Sequence, residues 1–184
     1  MADVVGRSVP RPTLAFWEIR SLAFQGLLVG LAVALPVAAH LTGAPVRVLL
    51  PMHWPVILAG LVYGWRGGAL VGLMAPSASF VLSGLPAPTI LPAMTAELFC
   101  YGFATGLLRE RFGWNPFASV AVALVLGRAV FVCVAAIGGV AAANYLGYVK
   151  AALLPGVPAA LGQILLLPLA GNWWVKRAHR GGDE

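Results

Sequence analysis

Glu97 and Arg128 are the two ionisable side chains set well inside apolar stretches of this 184-residue chain. At a bilayer centre each costs about 2.5–3.5 kcal/mol or more unless paired or hydrated, and charges so placed usually mark a ligand path. Counted along their segments, Glu97 falls about 6 Å and Arg128 about 14 Å below the outer surface of a ~30 Å core. The two segments are consecutive and antiparallel, so an arginine side chain can span the ~8 Å offset. The pair is either purely structural or lines a polar pocket open to the outside. An anionic ligand would pair with Arg128 and a cationic one with Glu97. If the two side chains pair with each other, a neutral polar ligand is favoured.

Tyr101 follows Glu97 by four residues, which puts both on one face of a helix. Gln163 is the other large polar group at mid-depth, and Asn144, Tyr145 and Tyr148 sit where the preceding apolar segment ends. Each alone reads as an interfacial or packing residue; together with Glu97 and Arg128 they would form a pocket in the outer half. His53, in Pro51-Met-His-Trp-Pro55, is the histidine inside an apolar segment. A metal site would need acidic or thiol ligands beside it, and none is near in sequence, so His53 reads as a hydrogen-bonding or substrate-contact group. Ser-hydrolase, zinc-hydrolase and Walker motifs are missing, as is any acidic pair at helical spacing. No cofactor is called for, and driven transport would draw its energy from another subunit.

The elements that must position these residues follow from composition. The chain is 60% hydrophobic and 10% charged, with mean hydropathy +0.90. Soluble domains carry roughly 25% charged residues, so there is too little charge to cover a globular surface in water. Apolar segments occupy residues 15–40, 51–64, 69–83, 93–108, 117–143 and 153–175. These predict an all-α integral membrane protein of six transmembrane helices. The chain forms a single membrane domain, with residues 15–176 as the bundle and 1–14 and 177–184 as tails. Six spans of about 20 residues leave room only for short loops. The second segment is short for a ~30 Å core and reads as a partial span. Residues 65–68 read as a turn, and 84–92, with three prolines, as a stiff connector.

Charge sets the orientation. With both termini cytoplasmic, Arg7, Arg11, Arg20, Arg66, Arg109, Arg111, Lys176, Arg177 and Arg180 lie inside, while Arg47 and Lys150 lie outside. That bias satisfies the positive-inside rule, and Trp17, Trp65, Trp114, Trp173 and Trp174 fall near span ends as an aromatic belt. The cell inner membrane is therefore the expected location. The net charge of +6 does not point to nucleic acid, because no face or stripe gathers the basic residues. The 18-residue apolar run at 22–39 is long for a signal-peptide core and is followed by further spans, so it reads as retained. Cys100 and Cys133 both lie in apolar runs and read as buried thiols.

The first helix carries Gly26, Gly30, Ala34 and Ala38 at strict four-residue spacing. Small side chains so spaced form a smooth stripe that lets another helix approach closely. The stripe serves either packing within the chain or docking of a partner membrane protein.

Residues 51–108 resemble the substrate-binding (S) components of energy-coupling factor (ECF) vitamin importers. The resemblance rests on Pro51-Met-His-Trp-Pro-Val56, Ala59-Gly60, Gly64, Gly67-Gly68-Ala69, Gly72, Pro76, Ser83-Gly84-Leu-Pro86, Pro92-Ala-Met94, Glu97 and Tyr101-Gly102. It implies a vitamin or precursor bound between the outer halves of helices 4 to 6, beneath the loops at 42–50 and 84–92. It also implies that the small-residue stripe docks on a transmembrane coupling subunit attached to two ATPase subunits. Glu97 matches an acidic position that contacts ligand in some members; Arg128 has no assigned counterpart. The expected function is a non-enzymatic substrate-binding subunit of a vitamin-like nutrient importer. The alternatives are a scaffold subunit of a membrane complex and an intramembrane enzyme using Glu97 and His53.

Overall fold

The structure, a computed structural model, describes residues 12–140 and 144–180. Among them the regular elements are helices: α1 (Ile19–Leu41), α2 (Val46–Leu49), α3 (His53–Ser83), α4 (Leu91–Glu110), α5 (Pro116–Ile137), α6 (Tyr145–Leu153) and α7 (Val157–Arg180). A 3-10 turn, Leu154–Gly156, joins α6 to α7. Five helical stretches are long and apolar enough to cross a membrane. Local signals set several boundaries. Proline opens α4 and α5, where its missing N–H costs nothing. The Asn115 side chain accepts a hydrogen bond from the Phe117 N–H at 2.9 Å, capping α5. Gly84 ends α3 in the left-handed conformation, with φ 71°.

The centre of the fold is α3. Two-thirds of its most apolar window is buried inside the chain, against 17% for α1, so α3 is the core helix and α1 a peripheral one. A straight helix of its 31 residues would separate its ends by about 45 Å. Instead His53 and Ser83 line one cavity. The reversal is at Gly64, whose φ of 69° and ψ of −166° leave the helical region within an otherwise continuous helix. The turn expected over residues 65–68 is thus compressed into one residue, because glycine alone adopts that backbone at little cost. The two arms, before and after Gly64, both pack on α4.

That packing is backbone against backbone. Gly60, Gly64, Gly68 and Gly72 recur every four residues on α3, facing Leu98, Gly102, Gly106 and Glu110 on α4. A Cβ at Gly60 would lie 2.5 Å from the Gly102 carbonyl oxygen, and one at Gly72 2.5 Å from that of Leu98. A Cβ at Gly68 or Gly102 would overlap the other's backbone outright. The core fills in around this contact with Leu28, Val56, Ile57, Leu61, Val71, Leu98, Tyr101, Val120 and Leu167.

Polar clamps hold the Gly64 end. The Glu110 carboxylate accepts from the Trp65 N–H at 3.2 Å, satisfying a free donor where the second arm starts. Buried Arg109 donates from Nε to the Pro12 carbonyl at 3.1 Å and from Nη2 to Asn172 Oδ1 at 2.7 Å. The Leu14 N–H donates to the Val62 carbonyl at 2.7 Å, so residues 12–14 pack on the bundle.

Several boundaries differ from those expected. The loop at 42–50 contains α2, which ends at Leu50 in the left-handed region. The fifth segment stops at Ile137 instead of Ala143, and residues 141–143 lie outside the described part. Most of the expected connector after it is α6, held to α5 by a hydrogen bond from the Tyr145 hydroxyl to the Val132 carbonyl. The last helix begins at Val157 and continues to Arg180, into the expected tail. Cys133 is exposed and Cys100 half-buried, so neither is a core thiol. Segments apolar all round give hydropathy no means of separating a lipid-facing position from a protein-facing one.

The glycine contact yields a stability test. Gly68→Ala and Gly102→Ala should each lose about 1–3 kcal/mol, because the added methyl forces the helix backbones apart. Gly26→Ala, with nothing within 4 Å of the added carbon, should stay within about 0.5 kcal/mol of the parent. Thermal unfolding in detergent measures all three, and similar midpoints for Gly68→Ala and Gly26→Ala would refute the close approach.

Candidate functional site

The end of the bundle opposite Gly64 is where the charged side chains meet. From α4, Tyr101 donates its hydroxyl hydrogen to Glu97 Oε1 at 2.7 Å, one turn away. From α5, Arg128 Nη1 forms an ion pair with the same oxygen at 2.9 Å. Glu97 is 2% exposed, so a bare carboxylate there would carry a large desolvation cost. The guanidinium offsets it with a close opposite charge and the phenol with a short hydrogen bond. His53, from the start of α3, lies with Nε2 3.9 Å from Glu97 Oε2, beyond hydrogen-bond range, and its ring is 5.4 Å from that of Tyr101. Neither His53 ring nitrogen has a hydrogen-bond partner, although the residue is buried.

Glycines make room for this arrangement. A Cβ at Gly127 would overlap the Tyr101 ring, so the residue before Arg128 must be almost without a side chain. At Gly156, between α6 and α7, a Cβ would lie 2.8 Å from Arg128 Nη2 and 2.8 Å from Leu50 Cδ1. Leu50 and Arg128 therefore pack against the same point of backbone. Its φ of 46° makes Leu50 the one described non-glycine residue with positive φ.

A cavity of about 320 Å³ opens above the pair. Its polar lining is Arg47, His53, Glu97, Arg128 and Tyr148, and Leu50, Met94 and Phe131 contribute apolar wall. Tyr148 stacks on Phe131 with centroids 6.4 Å apart and planes 21° from parallel. This volume lies at the lower end of the range for small-molecule sites, which combine an apolar wall with a few placed polar groups. A second, apolar cavity of about 170 Å³ shares Leu50, His53, Pro86 and Met94 with the first and extends towards Pro36 and Val37 of α1.

The fold thus brings together Glu97, Tyr101, Arg128, His53 and Tyr148. Tyr101 lies beneath the cavity as a support for Glu97. Asn144 and Gln163 are not among the residues lining it. The Asn144 side chain accepts from the Gly147 N–H at 3.1 Å and caps α6. Gln163 is fully buried in α7 with neither side-chain polar atom hydrogen-bonded. Sequence reasoning missed Arg47, Leu50, Phe131, Gly127 and Gly156 as parts of the site. For Gly127 a signal existed in its place immediately before an arginine set inside an apolar run. Among the described residues no three His, Cys, Asp or Glu side chains come together to hold a metal ion.

The small-residue stripe of α1 is also visible. Gly26, Gly30, Ala34 and Ala38 are all exposed, and a Cβ at Gly26 or Gly30 would meet nothing within 4 Å. The buried face of α1 is formed instead by Ser21, Gln25, Leu28 and Ala32.

No curated protein and no solved structure matches the chain. The family described as "ECF transporter, substrate-specific component" matches residues 20–174, a stretch that runs from α1 into the last turns of α7 and holds the whole of the cavity. The chain belongs to that family, the substrate-specific components of ECF transporters.

Proposed function

We propose that the protein captures a vitamin or related small nutrient at the outer face of the cell inner membrane. It would deliver that nutrient through a separate coupling module, made of a transmembrane subunit and two ATPase subunits. The observation that carries this reading is the ion pair of buried Glu97 with half-buried Arg128 at the floor of a cavity of about 320 Å³. A scaffold subunit would need no such cavity. An intramembrane enzyme built on Glu97 and His53 is less well supported, since Arg128 and Tyr101 already hold Oε1 of Glu97.

The two arms of α3 act as separate crossings in this reading, which makes six spans with both termini cytoplasmic. The cavity then faces outward and the Gly64 end inward. Reporters active only outside the cell should give opposite signals when placed at Ala87 and at Gly113. Equal signals would defeat the six-span arrangement.

For capture, Glu97→Gln and Arg128→Gln should each weaken ligand binding while leaving a folded, extractable protein. A desolvated charge contact contributes on the order of 2–5 kcal/mol, and the open cavity can rehydrate the surviving partner. Normal binding with a lowered thermal midpoint in both variants would make the pair purely structural. The double variant should be non-additive if the two side chains act together.

For coupling, the exposed stripe Gly26, Gly30, Ala34 and Ala38 serves as the docking face for the transmembrane partner. A leucine on a surface that depends on close helix approach is a steric block. Gly30→Leu or Ala34→Leu should therefore abolish uptake in cells and pull-down of the coupling subunit, with ligand affinity nearly unchanged. Retained uptake would remove the stripe from the interface.

A further inference from the structure

The charge around the cavity does not balance. Among the described residues the chain has three carboxylates, Glu18, Glu97 and Glu110. Glu18 and Glu110 line a cavity at the Gly64 end, together with Tyr63 and Arg66. Glu97 is therefore the one described carboxylate available to the outer cavity, and Arg128 already neutralises it at 2.9 Å. Arg47, from α2, lines the same cavity and forms no ion pair with a described residue. Arg47 and Arg128 against Glu97 leave an excess of one positive charge in the lining. Arg128 also keeps donors free, because a guanidinium has five N–H groups and Glu97 meets only Nη1. Most of the remaining wall is apolar, so a bound anion would meet the free Arg128 donors with little competing water, with exposed Arg47 at the cavity's rim.

His53 supplies the second constraint. A buried polar side chain almost always has a partner, and both ring nitrogens of His53 lack one, buried just behind the cavity wall to which the residue contributes. A neutral imidazole presents one donor and one acceptor. The complementary ligand group is a hydroxyl or an amide, which can satisfy either nitrogen.

We infer that the ligand is a small monocarboxylate that also carries a hydroxyl or amide group, and not the neutral polar molecule that a closed Glu97–Arg128 pair without Arg47 would favour. The carboxylate answers Arg47 and the free donors of Arg128, and the hydroxyl or amide answers His53. This deepens the reading of the protein as a nutrient-capturing subunit and rests on it. Glu97 then acts as a positioning residue that orients Arg128, and the closed Glu97–Arg128 pair contributes no net charge.

A mixture of natural small molecules, sorted by charge, serves as the probe. The small-molecule filtrate of yeast extract is split at pH 7 into anion-exchange-retained, cation-exchange-retained and unretained fractions. Each fraction is titrated against the detergent-purified full chain while its thermal midpoint is followed. The anion-retained fraction should raise the midpoint, and treating that fraction with acidic methanol, which esterifies carboxylates, should abolish the effect. Arg47→Gln should need at least about tenfold more of the fraction for the same shift, Arg47→Lys should stay close to the parent, and His53→Phe should also need more. Stabilisation by the unretained or cation-retained fraction would overturn the monocarboxylate and leave the importer reading standing. Activity that survives esterification, or an Arg47→Gln response equal to the parent's, would overturn it equally. An unchanged His53→Phe response would remove the hydroxyl or amide group. No stabilisation by any fraction would count against ligand capture itself.

Discussion

The contact of Gly68 with Gly102 is the constraint on which the rest of the structure depends. In a membrane, helices gain little from hiding apolar surface, because lipid is as apolar as a neighbouring helix; close packing takes over that role. The glycines on α3 and α4 let two backbones touch, and the reversal at Gly64 lets both arms of α3 share α4 as a common support. α4 in turn carries Glu97 and Tyr101, so the site's floor is set by how closely these helices approach. Wherever the helices approach less closely, larger side chains fill in around them.

The electrostatics of the site follow from its depth. A buried carboxylate is tolerated because an arginine and a tyrosine from neighbouring positions converge on one of its oxygens. That arrangement satisfies the carboxylate without using all the donors of the arginine. Histidine is left without a partner on either nitrogen, and a second arginine without an acid. A buried polar cluster that is complete in its structural part and incomplete toward a cavity is what ligand recognition requires.

Much of this was legible in the sequence. The long apolar segments and the meeting of Glu97 with Arg128 and Tyr101 follow from burial cost and helical spacing, which act locally. What escaped depends on which way a helix faces. Two four-residue stripes of small side chains exist, one on α1 and one on α3. Spacing alone cannot say that the α3 stripe packs inside and the α1 stripe stays bare. Asn144 illustrates a different ambiguity, since an asparagine at the end of a span suits a helix cap as well as a ligand contact. The single-residue reversal at Gly64 is hidden by the glycine and tryptophan around it, which read as a longer turn. In sequence Arg47 reads as a loop cation, because its place in the cavity wall depends on how α2 folds back onto Leu154–Gly156 and α7.

The clamps at Arg109 and Glu110 have a mechanical consequence for the site. They fasten α4 at one end, while Glu97 projects near the other, about 20 Å along the helix axis. Between these two points the glycine seam supports α4 as far as Leu98, so the anchorage carries through to the residue beside Glu97. A tilt of about three degrees at that end would sweep Glu97 sideways by about 1 Å, enough to strain its 2.9 Å contact with Arg128 of α5, whereas the Tyr101 hydrogen bond lies within α4 and moves with it. The register of the cavity floor is thus set from the far end of the helix, through the stiffness of a glycine seam that takes no part in lining the cavity.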